Sequence, residues 1–77
     1  MERNINPNQQ SSESQKARIL AYLMAGNRIT PLEALRRFRC FRLGARIADL
    51  KDDGIDIRSR FVTTVSEKNV KEYWIDL

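Results

Sequence analysis

Histidine is absent from this chain, and cysteine occurs once, at Cys40. The usual zinc sites draw on several such ligands and an internal disulfide needs two thiols, so neither is expected. The commonest general base is missing with the histidine, and no glycine-rich phosphate loop, G-x-S-x-G elbow or carboxylate-rich metal motif stands in for it. Catalysis, a cofactor and a small-molecule substrate are therefore not expected. Long apolar runs are lacking too: the longest, residues 19–25, falls well short of the roughly 20 residues that cross a bilayer. Residues 1–14 are polar where a signal peptide would be apolar. No membrane partner is expected, and the single thiol suits a reducing, cytoplasmic setting.

What is present is enough for one compact domain. The chain has 77 residues, 42% of them hydrophobic and 31% charged, which suits one small folded core and one site. The net charge is +4 with a pI near 9.7, a modest bias toward a polyanionic partner that depends on where the charges sit.

Residues 1–13 hold one isoleucine among Asn, Gln, Ser, Pro and charges, too little apolar surface to offset the entropy of ordering, and are read as a flexible tail. From residue 14 to 25, Ala17, Ile19, Leu20, Leu23 and Met24 recur at spacings of three and four, predicting an amphipathic helix with Ser14 as N-cap and Gly26-Asn27 at its end. Thr30-Pro31-Leu32-Glu33 then combines a capping threonine, proline at the first helical position and a glutamate that can bond backbone N–H groups. A short second helix follows, with Leu32, Ala34, Leu35 and Phe38 as its apolar face. A third has Leu43, Ile47 and Leu50 on one side and Gly54 as its left-handed stop.

Beyond Gly54 the period changes. Ile55, Ile57, Phe61, Thr63 and Val65 alternate, as do Tyr73, Ile75 and Leu77, predicting two strands joined through a polar loop at residues 66–69. Three helices and a hairpin make an α+β domain over residues 14–77, in which the second and third helices cross steeply and the hairpin covers the remaining apolar edge.

The run Ile29-Thr30-Pro31-Leu32-Glu33-Ala34-Leu35, then residues 42–51 (RLGARIADLK) and Gly54-Ile55-Asp56-Ile57, resembles the winged helix-turn-helix family of bacterial and phage DNA-binding proteins. The second half also resembles the N-terminal domain of the biotin repressor. This likeness implies a three-helix winged helix-turn-helix with a C-terminal β-hairpin wing, and double-stranded DNA as the partner. A second copy or another protein is the alternative partner, because the same fold also docks proteins.

Charge placement points the same way. Between Arg36 and Arg46 stand five arginines (Arg36, Arg37, Arg39, Arg42 and Arg46) and no acid. With Leu43, Ile47 and Leu50 turned inward, Arg42, Arg46 and Asp49 form a stripe expected to face out, with Ala45 beside it as part of a base-reading surface. Asp49 can pair with Arg46 or accept from cytosine N4, and pairing is favoured. Arg36, Arg37 and Arg39 are expected on phosphates, because the first helix of such a motif crosses the DNA backbone. In the hairpin, Arg58, Arg60, Lys68 and Lys71 are the candidate wing contacts; alternating charge also protects a sheet edge. Gly44 and Ala45 are small enough to let the backbone approach a groove floor, or to pack against the second helix. Cys40 is expected as a small buried filler, and Trp74, out of phase with its strand, as a cap on the core or the mark of a partner surface, with packing favoured. Phe41 could face DNA or fold inward.

Overall fold

The computed structural model describes residues 12–77, so most of the expected tail lies outside the described residues. The elements run α1 (Ser12–Met24), α2 (Pro31–Phe38), α3 (Leu43–Asp52), β1 (Arg58–Thr63) and β2 (Asn69–Trp74). Helix α1 starts two residues ahead of the sequence expectation, which places Ser14 in its first turn instead of at its cap. Gly26, at φ +92°, takes the left-handed turn that ends it.

The start of α2 follows its sequence signal at Thr30 and Pro31, while the Glu33 carboxylate takes the Arg37 guanidinium in place of a backbone N–H. Thr30 Oγ1 accepts from the Glu33 N–H at 3.4 Å, and Pro31 takes the first helical position, where its missing N–H costs nothing. Ile29 before the cap and Ala34 in the next turn are both fully buried, the apolar pairing that fixes how a chain enters a helix. Ile29 also trades backbone hydrogen bonds with Tyr73 at 2.9 and 2.8 Å. A single residue thereby extends the antiparallel β1-β2 ribbon by a third, minimal strand and ties the wing to the helices.

The core gathers Ile19 and Leu23 from α1, Ile29, Ala34, Cys40, the inward row Leu43, Ile47 and Leu50 of α3, and Ile57. Each large aliphatic side chain so buried contributes about 1.5–3 kcal/mol. Tyr22 and Phe38 meet edge to face at the α1–α2 seam, ring centroids 5.5 Å apart. Four residues expected on apolar faces stay at the surface: Ala17, Met24, Leu32 and Leu35. A helix of eight residues packed on one side buries a narrow strip, and Ala34 with Phe38 fills it.

The strands are shorter than the alternation suggested. Ile55 and Ile57 precede β1 and fasten the chain leaving α3, and Ile75 and Leu77 lie past β2. Val65 stands fully exposed in the turn. The connection spans residues 64–68, closed by the Thr64 and Lys68 backbone at 2.9 Å, with Glu67 left-handed at φ 61°; Asn69 already belongs to β2, opposite Thr63. Pairing of Ser59 with Tyr73 and Phe61 with Lys71 puts those four on the helix-facing side of the ribbon, since Tyr73 packs on the core. Arg58, Arg60, Glu72 and Trp74 share the other side.

Candidate nucleic-acid interface

Four residues, Arg39 to Arg42, connect α2 to α3. Arg39 closes α2 in the left-handed region, at φ 55° and ψ 32°, and its N–H donates to the Leu35 carbonyl at 3.0 Å. An L-residue with a Cβ sits there at a cost of roughly 1–2 kcal/mol relative to glycine, the usual occupant. Cys40 follows, its N–H donating to the Ala34 carbonyl at 3.1 Å and its thiol buried as the sequence suggested. That inward anchor leaves Phe41 and Arg42 exposed on either side of the turn. Phe41 is 83% accessible and belongs neither to the core nor to the apolar side chains packed on it.

The five arginines of this region divide into two groups. Arg36, Arg39 and Arg42 are exposed, and among the described residues none has a carboxylate partner. Arg37 and Arg46 are occupied. Arg37 Nε donates to Glu33 Oε2 at 2.6 Å and its guanidinium lies 5.2 Å from the Tyr22 ring centroid; the Glu33 carboxylate holds it still more firmly protonated than an ordinary arginine. Glu33 therefore holds a guanidinium as well as offering its own N–H to the cap.

Arg46 departs from the expected outward stripe, with a side chain only 15% accessible and lying along α3 toward Asp49. Nε is 3.1 Å from Asp49 Oδ2, close enough for an ion pair but not aligned as a hydrogen bond, so this buried Nε has no acceptor. The pairing of Arg46 with Asp49, one turn apart, is the arrangement the sequence favoured. Ala45 is half-buried beside it, and Gly44 is exposed. A Cβ placed on Gly44 would meet nothing within 4 Å, so packing against α2 does not require glycine there.

The wing cations are mostly engaged. Arg60 Nε lies 3.2 Å from Glu72 Oε1, and Arg58 Nε 3.6 Å from Asp76 Oδ2 and 3.9 Å from Asp56 Oδ2. Lys71 sits 5.5 Å from the Phe61 ring centroid. Lys68, at the tip, is exposed and has no carboxylate partner among the described residues. Phe61 is 68% accessible on the helix-facing side of the ribbon.

One cluster escaped the sequence reading. Arg28, between α1 and α2, stacks on Trp74 with 4.2 Å from guanidinium to ring centroid and lies 3.4 Å from the Glu72 carboxylate. Trp74 Nε1 donates to Asp76 Oδ1 at 3.0 Å. Trp74 thus covers the wing base with a cation laid across it, and the only advance signal was its position out of phase with the strand.

Among the described residues no helix is long and apolar enough to cross a membrane. No curated protein and no solved structure matches the chain, so the likeness to the biotin repressor domain rests on the sequence pattern alone. A sequence model described as a winged helix-turn-helix domain matches residues 14–76. Three helices, a four-residue turn between the second and third, and an antiparallel hairpin are that architecture, and the chain belongs to the winged helix-turn-helix family.

Proposed function

We propose that this chain binds duplex DNA with α3 in the major groove, as a transcriptional regulator or an accessory factor of a phage or mobile element. The observation that carries the reading is the concentration of Arg36, Arg39 and Arg42 around one turn, all exposed and none neutralised by an acid among the described residues. Desolvating a free arginine against a phosphate replaces water, whereas an arginine already paired must first give up its carboxylate. Arg36 and Arg39 are assigned to phosphates and Arg42 to the groove edge at the entry of α3, where a guanidinium can take guanine O6 and N7 together. Arg37 is a lesser phosphate contact because Glu33 holds it.

Within α3, Ala45 lies against the groove floor and Asp49 holds Arg46 ready. Arg46 reads a base once DNA displaces that carboxylate. Lys68 and Lys71 reach phosphates beside the wing, with Arg58 and Arg60 contributing less. A second reading, docking to another copy or another protein, draws support from Leu32 and Leu35, which are exposed on α2.

The experiment is affinity for a mixed-sequence duplex titrated against salt. DNA binding through the turn predicts a log–log slope of about −0.9 for every phosphate neutralised, hence near −2 from Arg36 and Arg39 and steeper if the wing lysines join them. Binding insensitive to salt, or none, would remove the reading and favour the protein partner.

A further inference from the structure

Phe41 is the largest apolar side chain in the α2–α3 turn and takes no part in the core. Its ring is 83% accessible, and it makes no aromatic or cation–π contact among the described residues. The backbone that carries it is nevertheless anchored. Cys40, immediately before it, is buried and hydrogen-bonded to Ala34 through its N–H, and Leu43, two residues later, is sunk in the core. The phenyl group is exposed on a short, anchored turn, with the unpaired Arg39 two residues before it in the chain, Arg42 next to it and Arg36 in the last turn of α2. Three residues on, Gly44 leaves the first turn of α3 bare, with open space where its Cβ would stand.

A phenyl ring set among free guanidinium groups suits a surface that is anionic at its edges and apolar at a point within. Duplex DNA supplies that combination in one place: the major groove is bordered by phosphates, and within it the C5-methyl of thymine is the apolar group that distinguishes one base from the others. An unstructured acidic peptide would offer the charge, but it holds no apolar group at a fixed distance inside a charged rim until it folds.

We infer that Phe41 is a specificity-determining residue of the interface, packing against a thymine methyl where α3 enters the major groove. This rests on the DNA-binding reading and sharpens it: the arginines supply affinity and register, and the ring supplies a preference that hydrogen bonding cannot. The bare backbone at Gly44 lets the turn descend far enough for the ring to reach the methyl.

The test crosses a protein variant with a base variant. A pool of random duplexes is enriched on the intact chain, then resynthesised with thymidine or with deoxyuridine, which lacks only the methyl group. The parent chain should bind the deoxyuridine pool roughly fourfold more weakly, the worth of one buried methyl. Phe41→Ala should bind the thymidine pool more weakly than the parent does and lose the discrimination between pools. Its melting temperature should equal the parent's, since the ring is exposed in the free protein. A parent that binds both pools equally, or a Phe41→Ala chain that still discriminates fully, would overturn the inference while leaving DNA binding intact. A parent that binds no duplex would overturn the DNA-binding reading itself, and this inference with it.

Discussion

The α2–α3 turn and the wing both carry a run of cations, and they differ in what becomes of their arginines. In the turn, Arg36, Arg39 and Arg42 project without an acid to meet them among the described residues. In the wing, Arg58 and Arg60 lie against Asp56, Asp76 and Glu72, and Lys71 lies over Phe61. The sequence already held the cause: no acid falls between Arg36 and Arg46, whereas Asp56, Glu67, Glu72 and Asp76 are interspersed along the hairpin. Positive charge available to a polyanion is what remains after local pairing: among the described residues three unpaired guanidinium groups belong to one short stretch around the turn, whereas both arginines of the wing are paired and only Lys68 and Lys71 lack a carboxylate.

The largest effect should come from emptying the turn. The combined variant Arg36→Ala, Arg39→Gly, Arg42→Ala is expected to lose on the order of a hundredfold in affinity for duplex DNA and to flatten the salt slope by roughly 0.9 for each phosphate contact removed. Arg39→Gly alone should raise the melting temperature, since glycine takes the left-handed conformation freely, while binding falls. A variant that binds as the parent does would erase the contrast between the two regions.

Gly44→Ala should separate stability from binding in the same sense. Alanine gains about 0.5–1 kcal/mol of helix stability, its Cβ meets nothing in the free protein, and the added methyl keeps α3 away from the groove floor. Thermal melting and binding isotherms should therefore move in opposite directions. Unchanged binding would show that α3 does not approach DNA at its first turn.

In the wing, Arg28→Ala should cost about 1 kcal/mol through the lost Trp74 stack and Glu72 contact, a fall in Tm of roughly 4–8 °C for a domain of this size. Tryptophan fluorescence should report the loosened ring. Arg58→Ala with Arg60→Ala should alter the salt slope by less than one unit. A larger change would mean that the wing gives up its carboxylates to DNA and that the two regions are alike.

The smallest effect concerns the far end of α3. Lys16 Nζ lies 2.8 Å from Asp53 Oδ2, and that hydrogen bond, opposed by some desolvation and aided by the Asp53 and Glu13 charges, raises the lysine pKa. A raised pKa means that the pair stabilises the fold fully below the ordinary lysine range and loses that contribution as pH climbs through and above it. Parent and Lys16→Met melts should therefore converge at strongly alkaline pH.

The helices and the cap of α2 were legible because their causes are local, whereas the start of α1 at Ser12 was missed. Threonine, proline and glutamate at fixed offsets start α2, and an apolar row at three- and four-residue spacing turns Leu43, Ile47 and Leu50 inward. The arginine-rich turn was legible for the same reason, since no acid falls between Arg36 and Arg46. Arg28 on Trp74 was not, because nothing near either residue announces the other and only the completed fold brings them together. The inward lie of Arg46 went unseen because it reflects the depth to which α3 sinks, although its pairing with Asp49, a local relation, was foreseen. The single-residue strand at Ile29 was missed likewise, since one isoleucine before a capping threonine has no period to read.

Backbone amide spectra of the isotopically labelled chain, titrated with a mixed-sequence duplex, test the central claim most directly. The largest shift changes are expected at residues 36–45, smaller ones at Lys68 and Lys71, and little at Arg58 or Arg60. Changes centred on the Arg58 and Arg60 face of the wing, with residues 36–45 unmoved, would contradict it.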